Sequence, residues 1–314
     1  MDQIRLLCLF SIFYVASVVV GIGYANGADD GKFRMSYWNT AFPKSPLPSK
    51  AVQQLLNLAG ETSNTGFGKQ ALNLAPEIPI NSYGSSKEET PAEPDLTTFF
   101  QGQDLQQKGK TVTLRLLKPT SNKATLLSRQ VAKSIPFSSS KLPEILTYFG
   151  VKPNSLAAGL MKQTIEECEA PAIKREGKYC LTSLESLIDL TVSNLGEDVG
   201  IYTTEAETDK KQEYSIETTG VQSIGDKIIV CHKENYVYGV FYCHIFYDRT
   251  TKAYMVPLVS ADGATKAKAV AVCHMDTASW NPKNVAFRVL NKKPGNTVHV
   301  CHFLGTTSLL WVPM

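Results

Sequence analysis

Two hydrophobic periods divide this chain. Leu184, Leu187, Ile188, Thr191, Val192 and Leu195 fall at helical spacing on one stripe, which predicts an amphipathic helix. Thr182-x-x-Glu185 supplies a capping box ahead of it and Gly196 a stop behind it. Upstream, residues 155–167 are helix-prone, and 145–149 end a short helix at Gly150. Residues 111–117 alternate, with Val112, Leu114 and Leu116 on one face, as a half-buried strand does. Beyond Tyr202 the period becomes two. Strands are predicted at 227–231, 236–246, 253–259, 266–273, 285–290, 297–303 and 308–312. Turn signals at 248–251, Asp262-Gly263 and Pro294-Gly295-Asn296 separate several of them. The pattern is that of an α+β protein, with a mainly antiparallel β C-terminal domain and a helical element before it.

The first hundred residues read differently. Residues 1–27 have the layout of a secretory signal: Arg5, an apolar run over 6–20, and the small-residue exit Ala25-Asn26-Gly27. A membrane anchor is the alternative, since residues 6–25 are nearly long enough to span, but the small-residue exit and Asp29-Asp30 favour cleavage. Residues 28–95 form a leader and linker, largely extended or disordered. Tyr37-Trp38 precede Pro43, Pro46 and Pro48, three prolines in six residues, so 33–49 is expected to be extended. Residues 51–58 offer one or two amphipathic turns, and 60–95 are rich in Ser, Thr, Asn, Gly, Pro and Glu. The folded domain is expected over 96–314.

Composition adds bounds. A hydrophobic content of 43% supplies a core, and a net charge of +3 is too small and dispersed to argue for nucleic acid. Cleavage of the signal would remove Cys8 and leave six of the seven cysteines, an even number in an oxidising compartment, where disulfides are the default. Cys168 and Cys180 bracket a polar loop between two predicted helices. A structural disulfide is the favoured reading there, with a redox or metal pair as the alternative. No membrane association is expected after cleavage, and the sequence fixes no oligomeric state.

Four of the five histidines directly follow a cysteine: Cys231-His232, Cys243-His244, Cys273-His274 and Cys301-His302. The intervals are 10, 28 and 26 residues, and Trp311 follows after eight more. Adjacent Cys and His do not fit zinc-finger spacing. In a strand, neighbours point to opposite faces, so each pair sends its sulfur one way and its imidazole the other. Cysteines would then cross-link one layer while histidines converge on the opposite face. Converging imidazoles suit a borderline metal such as Cu(II). The plainer alternative is that the four rings only pack and hydrogen-bond. His299, two residues before Cys301, belongs to the cysteine face and has no assigned role.

The spacing of these pairs, Phe99-Phe100 with Gly109-Lys110, the Cys180-Leu-Thr-Ser-Leu-Glu185 segment, and Cys301-His-Phe-Leu-Gly305 with Trp311-Val-Pro313 resemble the plant BURP domain over about 97–314. The 28-residue interval is slightly longer than the family's usual one. The resemblance implies copper ligation by His232, His244, His274 and His302, and a secreted protein of the apoplast or cell wall, with the vacuole possible. Whether it is an enzyme stays open. One implied role is non-catalytic, of the seed or stress-response kind, with cell-wall components as partners. The other is a copper-dependent oxidative macrocyclase that cross-links a Tyr or Trp of a peptide substrate. Tyr83, Tyr37 and Trp38 are then the core-peptide candidates within this chain.

Overall fold

The structure, a computed structural model, describes residues 27–59, 99–116, 124–172, 175–208, 210–247 and 249–314. Residues 1–26 of the signal expected over 1–27, most of the linker and Tyr83 lie outside the described residues. In chain order the helices are α1 (Gly27–Ala41), α2 (Lys50–Leu55), α3 (Arg129–Ser134), α4 (Leu142–Tyr148), α5 (Leu156–Glu169), α6 (Leu184–Leu195) and α7 (Val285–Leu290). The strands are β1 (Phe99–Phe100), β2 (Thr111–Arg115), β3 (Glu176–Leu181), β4 (Val199–Tyr202), β5 (Glu205–Ala206), β6 (Lys211–Ile216) and β7 (Gln222–Gly225). They continue with β8 (Ile229–Lys233), β9 (Phe241–Phe246), β10 (Thr251–Ser260), β11 (Lys266–His274), β12 (Val300–Phe303) and β13 (Ser308–Pro313).

Among the described residues the strands form two antiparallel sheets. The larger runs β1-β12-β11-β10-β6-β2, with β5 added on β11 and β7 on β10, and the smaller runs β3-β9-β8-β13-β4. Strand alternation decides what each face holds. Ile228, Val230, Leu310 and Val312 of the smaller sheet pack against Ala253, Val270, Val272 and Leu304 of the larger. That cluster is the interior of a two-sheet sandwich. The opposite parity of the smaller sheet, Ile229, Cys231, Phe241, Cys243, Leu309 and Trp311, faces outward and is covered by α2, α6 and the end of α1. On the larger sheet, Ala269, Ala271, Cys273 and Cys301 share the outward face with Val256, Leu258 and Tyr214. A third core gathers α4 and α5 around Tyr236, Tyr238 and Val240.

The α6 stripe is as expected: Leu184, Leu187, Ile188, Thr191 and Leu195 are buried, and Gly196 closes the helix at φ 93°. Its cap sits one residue later than predicted. Ser183 is the N-cap and Ser186 its reciprocal partner. Glu185 instead accepts a hydrogen bond from the Arg129 amide at the start of α3.

Four expectations need correction. The leader is not extended throughout: α1 spans Gly27–Ala41, and the prolines take effect only after it, from Pro43. Its helix is held by what it buries, Trp38 packing on Phe42 and Trp311 with ring centroids 4.9 and 5.7 Å away. Residues 285–290 form α7 instead of a strand. Asn284 caps its start by accepting from the Ala286 amide, and Asn291 ends it in the left-handed region, so end chemistry outweighs the β-propensity of Val285 and Val289. The strand expected over 236–246 begins at Phe241. Tyr236, Tyr238 and Val240 keep their alternation but bury it among helices. Gly239 is required there, because a Cβ would lie 2.4 Å from the Leu126 nitrogen. Finally, Cys180 lies on β3 and not in a loop between helices.

Candidate metal centre

Strand register places the four cysteines of the Cys-His pairs. Cys231 stands opposite Cys243 across β8 and β9, and Cys273 opposite Cys301 across β11 and β12. Both pairs are disulfides with Cα atoms 4.0 Å apart, and both lie on outward faces. A third disulfide, Cys168–Cys180, ties α5 to β3. His299 sits on the cysteine side, as expected, near Gly102 and the Cys301 sulfur.

Reversal of parity after each cysteine turns the four histidines inward. His232 and His244 come from the smaller sheet, His274 and His302 from the larger, and all four line one pocket between the sheets. Glu176, Val230, Phe246, Val272 and Trp280 complete its wall. Ring centroids are 5.5 Å apart for His232 and His244, and 5.6 Å for His274 and His302. The space within that water can occupy is ≈ 30 Å³, room for an ion and one or two waters.

Each ring is tied through Nδ1, and strand register explains three of the ties. His232 lies opposite Ser308 across β8 and β13, and its Nδ1 is 3.0 Å from the Ser308 hydroxyl. His274 lies opposite Thr251, with 3.3 Å between Nδ1 and the hydroxyl. His244 lies opposite Lys178 on β3, and Glu176, two residues along on the same face, accepts from its Nδ1. The fourth ring, His302, donates Nδ1–H to the carbonyl of Phe303 at 3.4 Å. A metal bound at these rings would use Nε2, the arrangement in which ligating histidines are held by outer hydrogen bonds.

Burial makes the rings neutral. It pushes His232 and His244 down to about 3, with the neighbouring His302 adding to the effect. His302 falls to about 4, again through burial, and His274 is also held well below the ordinary histidine range. Neutral imidazoles are the form that binds metals. Among the described residues no three His, Cys, Asp or Glu side chains already converge on a point; the rings surround the pocket. Within each sheet the two ring centres stand 5.5 and 5.6 Å apart. Neutral imidazoles are donors of the kind that suits a borderline cation such as copper.

The core-peptide candidates fall elsewhere. Trp38 is 1% exposed on the outward face of the smaller sheet, with that sheet between it and the histidines. Tyr37 is bonded to Asp189 and Arg129 on the same side. Neither lines the pocket. Sequence reasoning missed Glu176, Ser308, Thr251 and Trp280. Parity relative to His244 could have flagged Glu176 only once β3 was known to pair with β9.

Two sheets stapled on their outer faces, with a histidine-lined pocket between them, define the class: a disulfide-knit β-sandwich with an internal imidazole cluster. The BURP domain family's sequence profile matches residues 98–313. The chain belongs to the plant BURP-domain family. It is 36% identical to "BURP domain-containing protein 5" of Oryza sativa subsp. japonica, over 99% of this chain and 96% of that protein. It is 42% identical to "BURP domain-containing protein 3" of the same species, over 76% of this chain and 56% of that one. Against "BURP domain protein RD22" of Arabidopsis thaliana it is 42% identical, over 74% and 59% respectively. The chain thus spans little more than half the length of two of these three relatives.

Proposed function

We propose that this BURP-domain protein binds copper, as Cu(II), through His232, His244, His274 and His302, and serves a non-catalytic role in the apoplast or cell wall, of the seed or stress-associated kind. One observation carries the reading: four buried, neutral imidazoles from two sheets line a single small pocket, each braced through Nδ1. Oxidised cysteines on the opposite faces keep thiolates away from a redox-active ion. A secreted setting accords with three disulfides. Among the described residues no helix is long and apolar enough to cross a membrane.

Oxidative peptide cross-linking is the second reading, and pocket size weighs against it. A space of ≈ 30 Å³ admits an ion and water but does not enclose a tyrosine or tryptophan side chain. The deciding experiment is metal content and intact mass after Cu(II) loading in air. Bound copper with only the six hydrogens lost to three disulfides leaves a binding protein or an enzyme acting on a separate peptide. A further loss of two hydrogens, mapped to Tyr83 or Tyr37/Trp38, would make it a cyclase acting on itself. No bound copper would return the histidines to packing.

A further inference from the structure

Two tyrosines meet at the edge of the smaller sheet, on the face turned away from the histidines. Tyr179 stands opposite Cys243 across β3 and β9 and so shares the outward parity of that cysteine. Gly177, two residues earlier, pairs with Ile245 on the same face. Tyr247 follows the end of β9, where its amide donates to the Arg175 carbonyl at 3.3 Å. The two phenol oxygens are 3.3 Å apart.

Gly177 is what lets them meet. A Cβ at that position would lie 2.5 Å from the Tyr247 oxygen and 3.0 Å from Cε2 of Tyr179. Both atoms therefore crowd one small space above bare backbone. Cε2 is an ortho carbon of the Tyr179 phenol, a position that carries unpaired spin once the phenol loses an electron and a proton. An oxygen and an ortho carbon held this way are the two atoms an aryl ether joins. Exposure sets the pair apart. Tyr179 and Tyr247 are 37% and 57% exposed, within reach of an oxidant in solution. Tyr236 and Tyr238, with ring centroids 4.8 Å apart, are 0% and 3% exposed and out of reach. Tyr148 is exposed, but its ring packs on Phe149.

We propose that Tyr179 and Tyr247 form a site of oxidative cross-linking, in which an external oxidant of the haem-peroxidase class, fed by hydrogen peroxide, joins the Tyr247 oxygen to Cε2 of Tyr179. Each phenol gives up one electron and one proton and becomes a phenoxyl radical. The radicals combine in a carbon–oxygen bond. The hydrogen on Cε2 then leaves as a proton, and the Tyr179 oxygen regains one. The pair loses two hydrogens in all, and one hydrogen peroxide becomes two waters. Holding both atoms in one folded chain favours this bond over coupling between molecules. β3 is an edge strand of the smaller sheet. The ether would fasten it to the end of β9 by a bond that thiol reductants do not cut. No step uses the histidine pocket, so this coupling and copper binding stand or fall separately.

The test takes the full chain with its disulfides formed, freed of metal by a chelator, dilute, and treated with a haem peroxidase and hydrogen peroxide. The monomer should lose two hydrogens by intact mass. Its digest should contain one reductant-stable peptide pair, linked between Tyr179 and Tyr247. Tyr247→Phe removes the oxygen that forms the bond and should abolish the linked pair, as should Tyr179→Phe. Tyr148→Phe should leave its yield unchanged. The carbon–carbon isomer has the same mass but fluoresces as dityrosine, and finding it at this pair would overturn the ether assignment. A monomer that keeps all its hydrogens, or loses them at other residues, would overturn the site.

Discussion

Cys231 lies directly across from Cys243 on neighbouring antiparallel strands, and that single pairing fixes both partners of two histidines. His232 then faces Tyr242 and His244 faces Val230, both on the inner side. Cys273 and Cys301 repeat the geometry on the other sheet, where His274 meets Val300 and His302 meets Val272. A one-residue slip in either strand pair would turn its imidazoles outward. The disulfides therefore act as register locks for the pocket as well as staples for the fold.

Replacing Cys231 and Cys243 together by Ala should lower unfolding free energy by about 3 kcal/mol from loop-closure entropy alone, seen as a lower denaturation midpoint. It should also weaken Cu(II) binding, because His232 and His244 lose their enforced register. A midpoint equal to wild type would contradict the locking role.

His244→Ala should reduce copper binding while leaving the three disulfides formed. Metal stoichiometry and free-thiol counting on the same sample check both halves, and an unaltered stoichiometry would sink the ligand assignment.

Protonation gives a signed prediction. The pocket histidines titrate far lower folded than unfolded, with His232 and His244 near 3 and His302 near 4, against about 6.5 in an unfolded chain. Between those values the unfolded state binds more protons, so stability rises with pH. Metal-free protein should hold its full stability above pH ~6.5 and lose it progressively down to pH ~3. Copper should protect it through the upper part of that window. Melting temperature against pH, with and without Cu(II), is the measurement, and His232→Gln should flatten the metal-free slope.

Trp38→Ala should cost about 3–5 kcal/mol, as removal of a large buried ring does, because the ring is 1% exposed against Trp311. Cu(II) affinity should stay within about twofold, since the pocket lies behind the sheet. If copper binding collapsed while the fold survived, the two faces would be less independent than the sandwich implies.

Much of this was legible in the chain because strands encode faces. The Cys-His adjacency alone separates sulfur from imidazole, and the α6 stripe and Gly196 stop appear as read. What stayed hidden depended on partners distant in sequence. β6 carries Lys211, Gln212 and Glu213, so only Tyr214 and Ile216 signal its buried side. Pro43, Pro46 and Pro48 concealed a helix immediately before them, whose worth comes from Trp311, 273 residues away. Val285 and Val289 suggested a strand that Asn284 and Asn291 overrule at the ends. Glu176 could not be found at all without the β3–β9 pairing.

The smaller sheet also dictates an order of assembly. β13 is last in the chain yet sits between β8 and β4. β4, at Val199–Tyr202, pairs with no other strand of that sheet and must wait for residues 310–313. During synthesis the hairpin closed by Cys231–Cys243 can zip early, because its sulfurs are 12 residues apart. The sheet around it cannot be completed until more than a hundred residues beyond β4 have emerged. Such non-local pairing is slow and leaves strand edges open to other chains. The Cys231–Cys243 hairpin is thus expected to form before the final strand slots in.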